Sequence, residues 1–417
     1  MSQGNPPSPV VPLLSRALQR VRSTPPRIIA SPPTQPRRAA VALIIRIVPS
    51  PHKPEFFALD WVNDPHARPE ILFLQRENPA KNGDGPYNQT QVRQGNAQGE
   101  AQVAFPGGRM EPDDEGGLYT AMRQTWEELG IDLAEKDYLS IGQLDDREIT
   151  TSLGKRLLMI LSPFVFLQVT PAAPPADPVS TTQLHWTPLA SLISPNTKGW
   201  SSVTVDAASR LTPKHSALLR VVVRMLVGTM QFPAIVIQPS PSGPEVGGKA
   251  EKGVSRLKLW GLSLGMTLDL MSYMILPTVD DDDIKLDADA LNEKKNGDAG
   301  DYFDARGDRR RQRGGTQTML DFRMEYVAPS LASVFPRFSY PDVNFWIWVF
   351  GKRYREVIRG WESSVRAGGV NDRRINWSGS ALSTFYAAIR KALIVVIVGR
   401  ALGIIVGLGF AVWWVLS

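Results

Sequence analysis

The chain has 417 residues, 43% of them apolar, so it can bury a sizeable core, and its length allows two to three folding units. It contains no cysteine, which excludes disulfides, thiolate metal sites and a cysteine nucleophile. The four histidines (His52, His66, His185 and His215) are too scattered for a zinc cluster, and the net charge of +6 is modest but unevenly spread.

Residues 1–53 carry seven arginines and one lysine and no acidic residue. Leu13–Val21 has the pattern of an amphipathic turn or two. Nine prolines before residue 37 argue against a long helix, so residues 1–36 are expected to form an extended Pro/Arg-rich leader without fixed structure. An acid-free, Arg- and Ser-rich N-terminus also suits a mitochondrial transit peptide, while no apolar stretch fit for a secretory signal follows the initiator. Ala39–Val48 and Ile71–Leu74 read as buried strands, rich in β-branched and aliphatic residues. Residues 78–99 form a polar insertion before the next strand.

Residues 105–131, FPGGRMEPDDEGGLYTAMRQTWEELGI, concentrate the chemistry. If Gly116–Leu129 is one helix, Gln124, Glu127 and Glu128 are three and four residues apart and share a face. Adjacent carboxylates repel unless a cation sits between them, and their hard oxygens suit Mg²⁺. The plainer alternative is an amphipathic helix with a solvated acidic face. The run Arg123-x-x-x-Glu127-Glu128-x-Gly130-Ile131, with Glu115 eight positions before the arginine, resembles the box of the Nudix hydrolases, which cut diphosphates linked to another moiety. The "QVAFPGG" and "TAMR" segments make it similar to the coenzyme A diphosphatase branch.

The resemblance implies a Nudix fold, an α/β (α+β) sandwich with a mixed sheet between helices, and a site that uses Mg²⁺ or Mn²⁺. Carried over residue by residue, it implies Glu127 and Glu128 as metal ligands and Glu128 as the more important catalytic group. Glu115, Arg123 and Gly130 become structural members of the box, the first two as a carboxylate–guanidinium pair, and Gly107 and Gly108 admit a phosphate to the backbone. Two departures stand out. Gln124 occupies a position where the family has glutamate, and an amide cannot carry charge or accept a proton, which leaves it a second-rank ligand. Gly108 and Glu115 are also separated by six residues where the common box has five. A ligand from outside the box could come from Asp145, Asp146, Glu148 or Asp177. Tyr119 and Trp126 are expected to pack on the sheet, and Arg147 and Lys155 to be solvated or to meet phosphates.

Tyr138–Leu144 and Leu157–Val169 continue the strand pattern, and Asp177–Leu192 resembles the late Nudix segment with Trp-x-Pro-Leu. Ser216–Gly228 reads as a helix and Phe232–Gln238 as a strand. Leu257–Leu276 carries Asp269 near its middle, which makes a membrane span costly. It resembles the closing helix of coenzyme A-type Nudix domains, so the domain is assigned to residues 37–277. Residues 278–318 form a charged linker too poor in apolar residues to order. Residues 319–389 are aromatic and basic, suited either to a membrane interface or to docking on the core.

Ala392–Leu416 is an apolar stretch broken only by Arg400 and long enough to cross a bilayer. Flanking cations and the positive-inside tendency then keep the hydrolase domain cytosolic on a single-pass, tail-anchored protein, at a mitochondrial, peroxisomal or other membrane. Arg400 would snorkel to the interface, and Trp413 and Trp414 fit the far one. Gly399, Gly403 and Gly407 recur every four residues, a spacing that suits a helix-packed homodimer. The functional expectation is a metal-dependent hydrolase for a diphosphate in coenzyme A or a related nucleotide derivative. The alternative is a Nudix-fold binding or scaffold module whose catalysis is impaired by Gln124. Basic patches without interleaved aromatics give no ground for a specific nucleic-acid partner.

Overall fold

A computed structural model of the chain describes residues 10–32, 37–48, 67–76, 100–150, 157–170, 173–193, 200–208, 216–237, 256–274, 335–366 and 380–416. A twelve-stranded mixed sheet is the frame of the described residues. At its centre β1 (Arg38–Val48) is buried on both faces, which explains its near-continuous apolar sequence. Leu43, Ile45 and Ile47 point into one core, and Ala40, Ala42 and Ile44 into the other. β1 runs parallel to β7 (Leu157–Gln168) and antiparallel to β2 (Arg68–Arg76), with Ile45 opposite Ile71.

Beyond β7 lie β5 (Tyr138–Gln143) and β6 (Arg147–Thr150), and β8 (Thr182–Pro188) pairs with β2. On the other side β2 joins β3 (Glu100–Ala104), which runs parallel to β11 (Arg256–Trp260). β11 pairs with β10 (Thr229–Ile237), and β10 takes both β9 (Trp200–Asp206) and β12 (Arg337–Phe338) as neighbours. A three-residue strand, β4 (Gly107–Arg109), pairs with Ala39–Val41 of β1. That pairing sets the glycine loop at the start of the box.

Helices cover both faces. α2 (Gly117–Leu129) puts Ala121 and Leu129 against Ala40, Ala42, Ile44, Leu72, Phe164 and Phe166. On the opposite face lie α1 (Val10–Ser23) and α5 (Gly261–Ser272), the latter following β11 directly. The short α3 (Leu189–Ile193) closes the Trp-x-Pro-Leu segment, and α4 (Ala217–Val227) precedes β10. After β12 come α6 (Pro341–Phe350), α7 (Lys352–Arg366) and the long α8 (Ser380–Leu416).

Several expectations need correction. The leader is not structureless: α1 buries Val10, Val11, Leu13, Leu14, Ala17, Leu18 and Val21, and Arg20 donates to the Tyr273 carbonyl at 3.3 Å. The domain does not close at residue 277. β12 adds to the sheet, and Phe335, Phe338 and Val343 join the same core, as do Phe385, Ile389, Leu393 and Val396 further on. Leu257–Leu276 is not one helix, because its first residues form β11. The expected span from Ala392 starts inside packed protein: Phe385, Ala388, Ile389, Ala392, Leu393 and Val396 are buried, and only residues 401–416 are exposed throughout. The 78–99 insertion, the 278–318 linker and Lys155 lie outside the described residues. Gly399, Gly403 and Gly407 have open space where a side chain would stand.

Candidate active site

The box begins where β4 meets β1. Gly107 has φ +144°, and a Cβ there would lie 2.3 Å from the Ala40 carbonyl oxygen, so only glycine lets the two backbones pair. A Cβ on Gly108 would lie 2.1 Å from Oε1 of Gln124, which lays the glutamine amide across the loop. At the other end of the helix Gly130, in the left-handed region at φ +64°, caps α2 through its N–H to the Trp126 carbonyl.

Arg123 does not pair with Glu115, which is exposed. Its guanidinium instead forks onto Asp114, Nε to Oδ1 at 2.7 Å and Nη2 to Oδ2 at 2.8 Å, and reaches Glu111 at 3.2 Å. Thr120 Oγ1 and the Glu111 N–H also donate to Asp114, each at 2.8 Å. The Arg123 bonds above all hold the Asp114 carboxyl well below the usual carboxylate range, and the same contact raises Arg123. The spacing carried the signal: five residues separate Gly108 from Asp114, the common box interval, so Asp114 takes the role expected of Glu115.

The two candidate ligands lie side by side near the C-terminal end of α2. Glu127 is about half exposed and accepts from Arg123 Nη1 at 2.9 Å and from Gln124 Nε2 at 3.0 Å. Glu128 is more enclosed. Arg76, the last residue of β2, holds both its oxygens, Nε to Oε1 at 2.5 Å and Nη2 to Oε2 at 2.6 Å, and Thr182 Oγ1 lies 3.3 Å from Oε1. Arg76 also reaches the Gly107 carbonyl at 3.3 Å, tying loop to helix. No sequence pattern marked Arg76, because a cation closing a buried strand reads as an ordinary solvated end.

The outside candidates separate clearly. Asp145 and Asp146 are buried and engaged elsewhere. Asp145 takes the Arg27 N–H, and Asp146 takes the Ile29 N–H, Arg38, Gln143 and Ser162. Ser162 lies near Gly117, so this cluster is at the far end of α2, about 15 Å from Glu127 at 1.5 Å per residue. Glu148 is partly buried on β6. Asp177 is exposed and near: its N–H bonds the Leu129 carbonyl at 2.8 Å, and Val179 N–H bonds that of Glu128 at 3.0 Å. Arg147 is neither solvated nor a phosphate contact, being wholly buried and ion-paired with Asp269 of α5. Tyr119 and Trp126, expected against the sheet, are exposed on the outer side of α2.

The donor chemistry suits Mg²⁺ or Mn²⁺: two carboxylates stand beside a glutamine amide and a loop carbonyl. Among the described residues no three Asp, Glu, His or Cys side chains converge as a cation site. Each carboxylate is already charge-compensated, Glu127 by Arg123 and Glu128 by Arg76. A divalent ion can share Glu127, and at Glu128 it meets Arg76 on both oxygens.

Residues 61–206 match the NUDIX domain family. An uncharacterized protein of Schizosaccharomyces pombe is 28% identical over 234 residues, 55% of this chain and 64% of that protein. A mitochondrial coenzyme A diphosphatase of Mus musculus is 40% identical over 53 residues, 12% of this chain and 25% of that protein. The chain thus spans less than two thirds of either curated relative. An Ap4A hydrolase of C. elegans, solved in a binary complex, is 17% identical, covering 37% of this chain and 82% of that one at a TM-score of 0.24.

Proposed function

We propose that this chain, which carries a Nudix domain, is a divalent-metal-dependent hydrolase that cleaves the diphosphate of coenzyme A or a related nucleotide derivative at a membrane surface. One observation carries the reading: Glu127 and Glu128 stand together beside the Gly107–Gly108 loop, on a helix locked to that loop by the Arg123–Asp114 fork. The coenzyme A class draws support from the short likeness to the mouse diphosphatase. Glu127, Glu128 and, secondarily, the Gln124 amide would hold Mg²⁺ or Mn²⁺. When bound, that ion supplies charge neutralisation of the diphosphate and a more acidic water.

The chain's own residues do the rest. Gly107 and Gly108 keep the loop free of side chains where a phosphate approaches. Arg76, once released from Glu128, is placed to meet phosphate oxygens as a fork. The membrane location is inferred from α8, the one described helix long and apolar enough to cross a bilayer.

A second reading has its own observations. Gln124 directs its NH₂ to Glu127 instead of adding a carboxylate, and Arg76 neutralises Glu128, as suits a module that binds diphosphates with little turnover. A release assay over coenzyme A, acyl-coenzyme A and nucleoside-diphosphate substrates, with and without Mg²⁺ or Mn²⁺, separates the two. Metal-stimulated release that Glu128→Gln abolishes, and Gln124→Glu raises by roughly 10²-fold, supports the enzyme. Binding without release in any metal, unchanged by Gln124→Glu, supports the module.

A further inference from the structure

Resting on the reading of α8 as a membrane helix, we propose that the outward faces of α4 and α6 lie in the interfacial layer of the same bilayer, so that the domain is seated in lipid. On α4 the residues Leu218, Val221, Val222 and Met225 follow helical spacing i, i+3, i+4 and i+7, and all are exposed, Leu218 by 80% and Met225 by 71%. On α6 Phe345, Trp348 and Val349 repeat the pattern, Trp348 being 60% exposed. Arg220 and Arg224 on α4, and Lys352 and Arg353 after α6, supply exposed cations beside these faces. Apolar stripes with aromatic and basic neighbours are what helices lying in a membrane surface present.

Their position relative to α8 decides the occupant. α8 packs along α6 and touches α4. The three meet at Arg400: Nη2 bonds both Asp342 oxygens at 2.9 and 2.7 Å, and Nη1 bonds the Leu226 carbonyl at 2.6 Å. The guanidinium lies 4.4 Å over the Tyr340 ring, and Tyr340 donates to the Met225 carbonyl at 3.2 Å.

A length argument fixes the lipid level. Trp413 and Trp414 suit the far headgroup layer. A hydrocarbon core of about 30 Å, taken back at 1.5 Å per residue, covers about 20 residues and begins near Ile394. That is before Arg400 and inside the stretch where α8 is flanked by α6 and α4. A bilayer that α8 crosses fully therefore reaches those two helices as well. Arg400 would then enter lipid already paired with Asp342 instead of snorkelling to water as a bare charge.

The absence of cysteine makes the test direct. In the full-length chain, Leu218→Cys, Met225→Cys and Trp348→Cys are labelled with an environment-sensitive fluorophore, alongside Val406→Cys in α8 and exposed Asp113→Cys beside the box. Each variant is placed in phosphatidylcholine vesicles with a minority of phosphatidylserine and quenched by aqueous iodide or by lipid-borne nitroxide. The expected result is blue-shifted, nitroxide-quenched emission at 218, 225 and 348, with iodide quenching several-fold below that at 113, and deeper nitroxide quenching at 406. Lipid quenching at 406 with iodide-accessible labels at 218, 225 and 348 overturns the seating and keeps the anchor. Labels shielded from both quenchers mean a protein partner covers the faces, which also overturns it. Iodide access at 406 overturns the anchor and the seating together.

Discussion

Asp114 shows how a single side chain can hold the box in register. Its carboxyl ionises at lower pH in the folded chain than in the unfolded one, chiefly because Arg123 forks onto it. The pairing therefore stabilises fully above the ordinary carboxylate pKa of ~4, and that contribution is lost as pH falls through the folded value. Asp114→Asn should cost roughly 2 kcal/mol at neutral pH, and the gap to the parent should narrow below pH ~4 in denaturant titrations. An equal gap at pH 7 and pH 3 would mean that the fork adds nothing through charge. Arg76 is the second decisive residue, since it contests Glu128 with any divalent ion. Arg76→Gln should lower the Mn²⁺ concentration for half-saturation by a few-fold, as befits a partly exposed pair worth about 1 kcal/mol, read by calorimetry as well as by turnover. The glutamates and glycines of this site were legible because the box is written in consecutive sequence. Arg76 and Thr182 were not, because β2 and β8 bring them to α2 from far along the chain. Glu115 drew attention by its distance from Arg123, whereas the loop geometry selects its neighbour.

At the scale of elements, local pattern succeeded where one chain segment decides its own fate. α2 was expected from residue 116 and begins at Gly117, because its apolar stripe, its left-handed glycine cap and its short span agree. β1 and β7 were visible from buried aliphatic runs. α1 extends the amphipathic turn or two visible in Leu13–Val21 despite the prolines around it, because Pro12 sits in the first turn, where no intrahelical N–H is needed. The burial of its apolar face against distant strands then outweighed the composition of the segment. Leu14, fully buried there, makes the point testable. Leu14→Ala should destabilise the fold by about 2–5 kcal/mol, seen as a lowered thermal midpoint of the full chain in detergent. A change within about 0.5 kcal/mol would show that α1 is a surface strap and not part of the core.

Across the whole molecule, the boundary between domain and tail lies later than composition suggests. α8 is one continuous helix whose first part completes the core and whose second part projects from it. Ending the chain after Ala401 should give a folded protein that no longer requires detergent, with the Arg400–Asp342 pair kept. Ending it before Arg390 removes buried Ala392, Leu393 and Val396 and should lower the thermal midpoint markedly. If both truncations melted alike, the packing of α8 would contribute nothing to the core.

The bond from Arg20 to the Tyr273 carbonyl has a consequence in time. α1 is separated from β5, on which it packs, by more than a hundred residues, and Arg20 from Tyr273 by about 250. Its seven apolar side chains complete their seat only when these late elements arrive, and closing so wide a loop adds an entropic delay to assembly. Until that loop closes, the apolar face that the finished fold hides is open to other binders, chaperones among them.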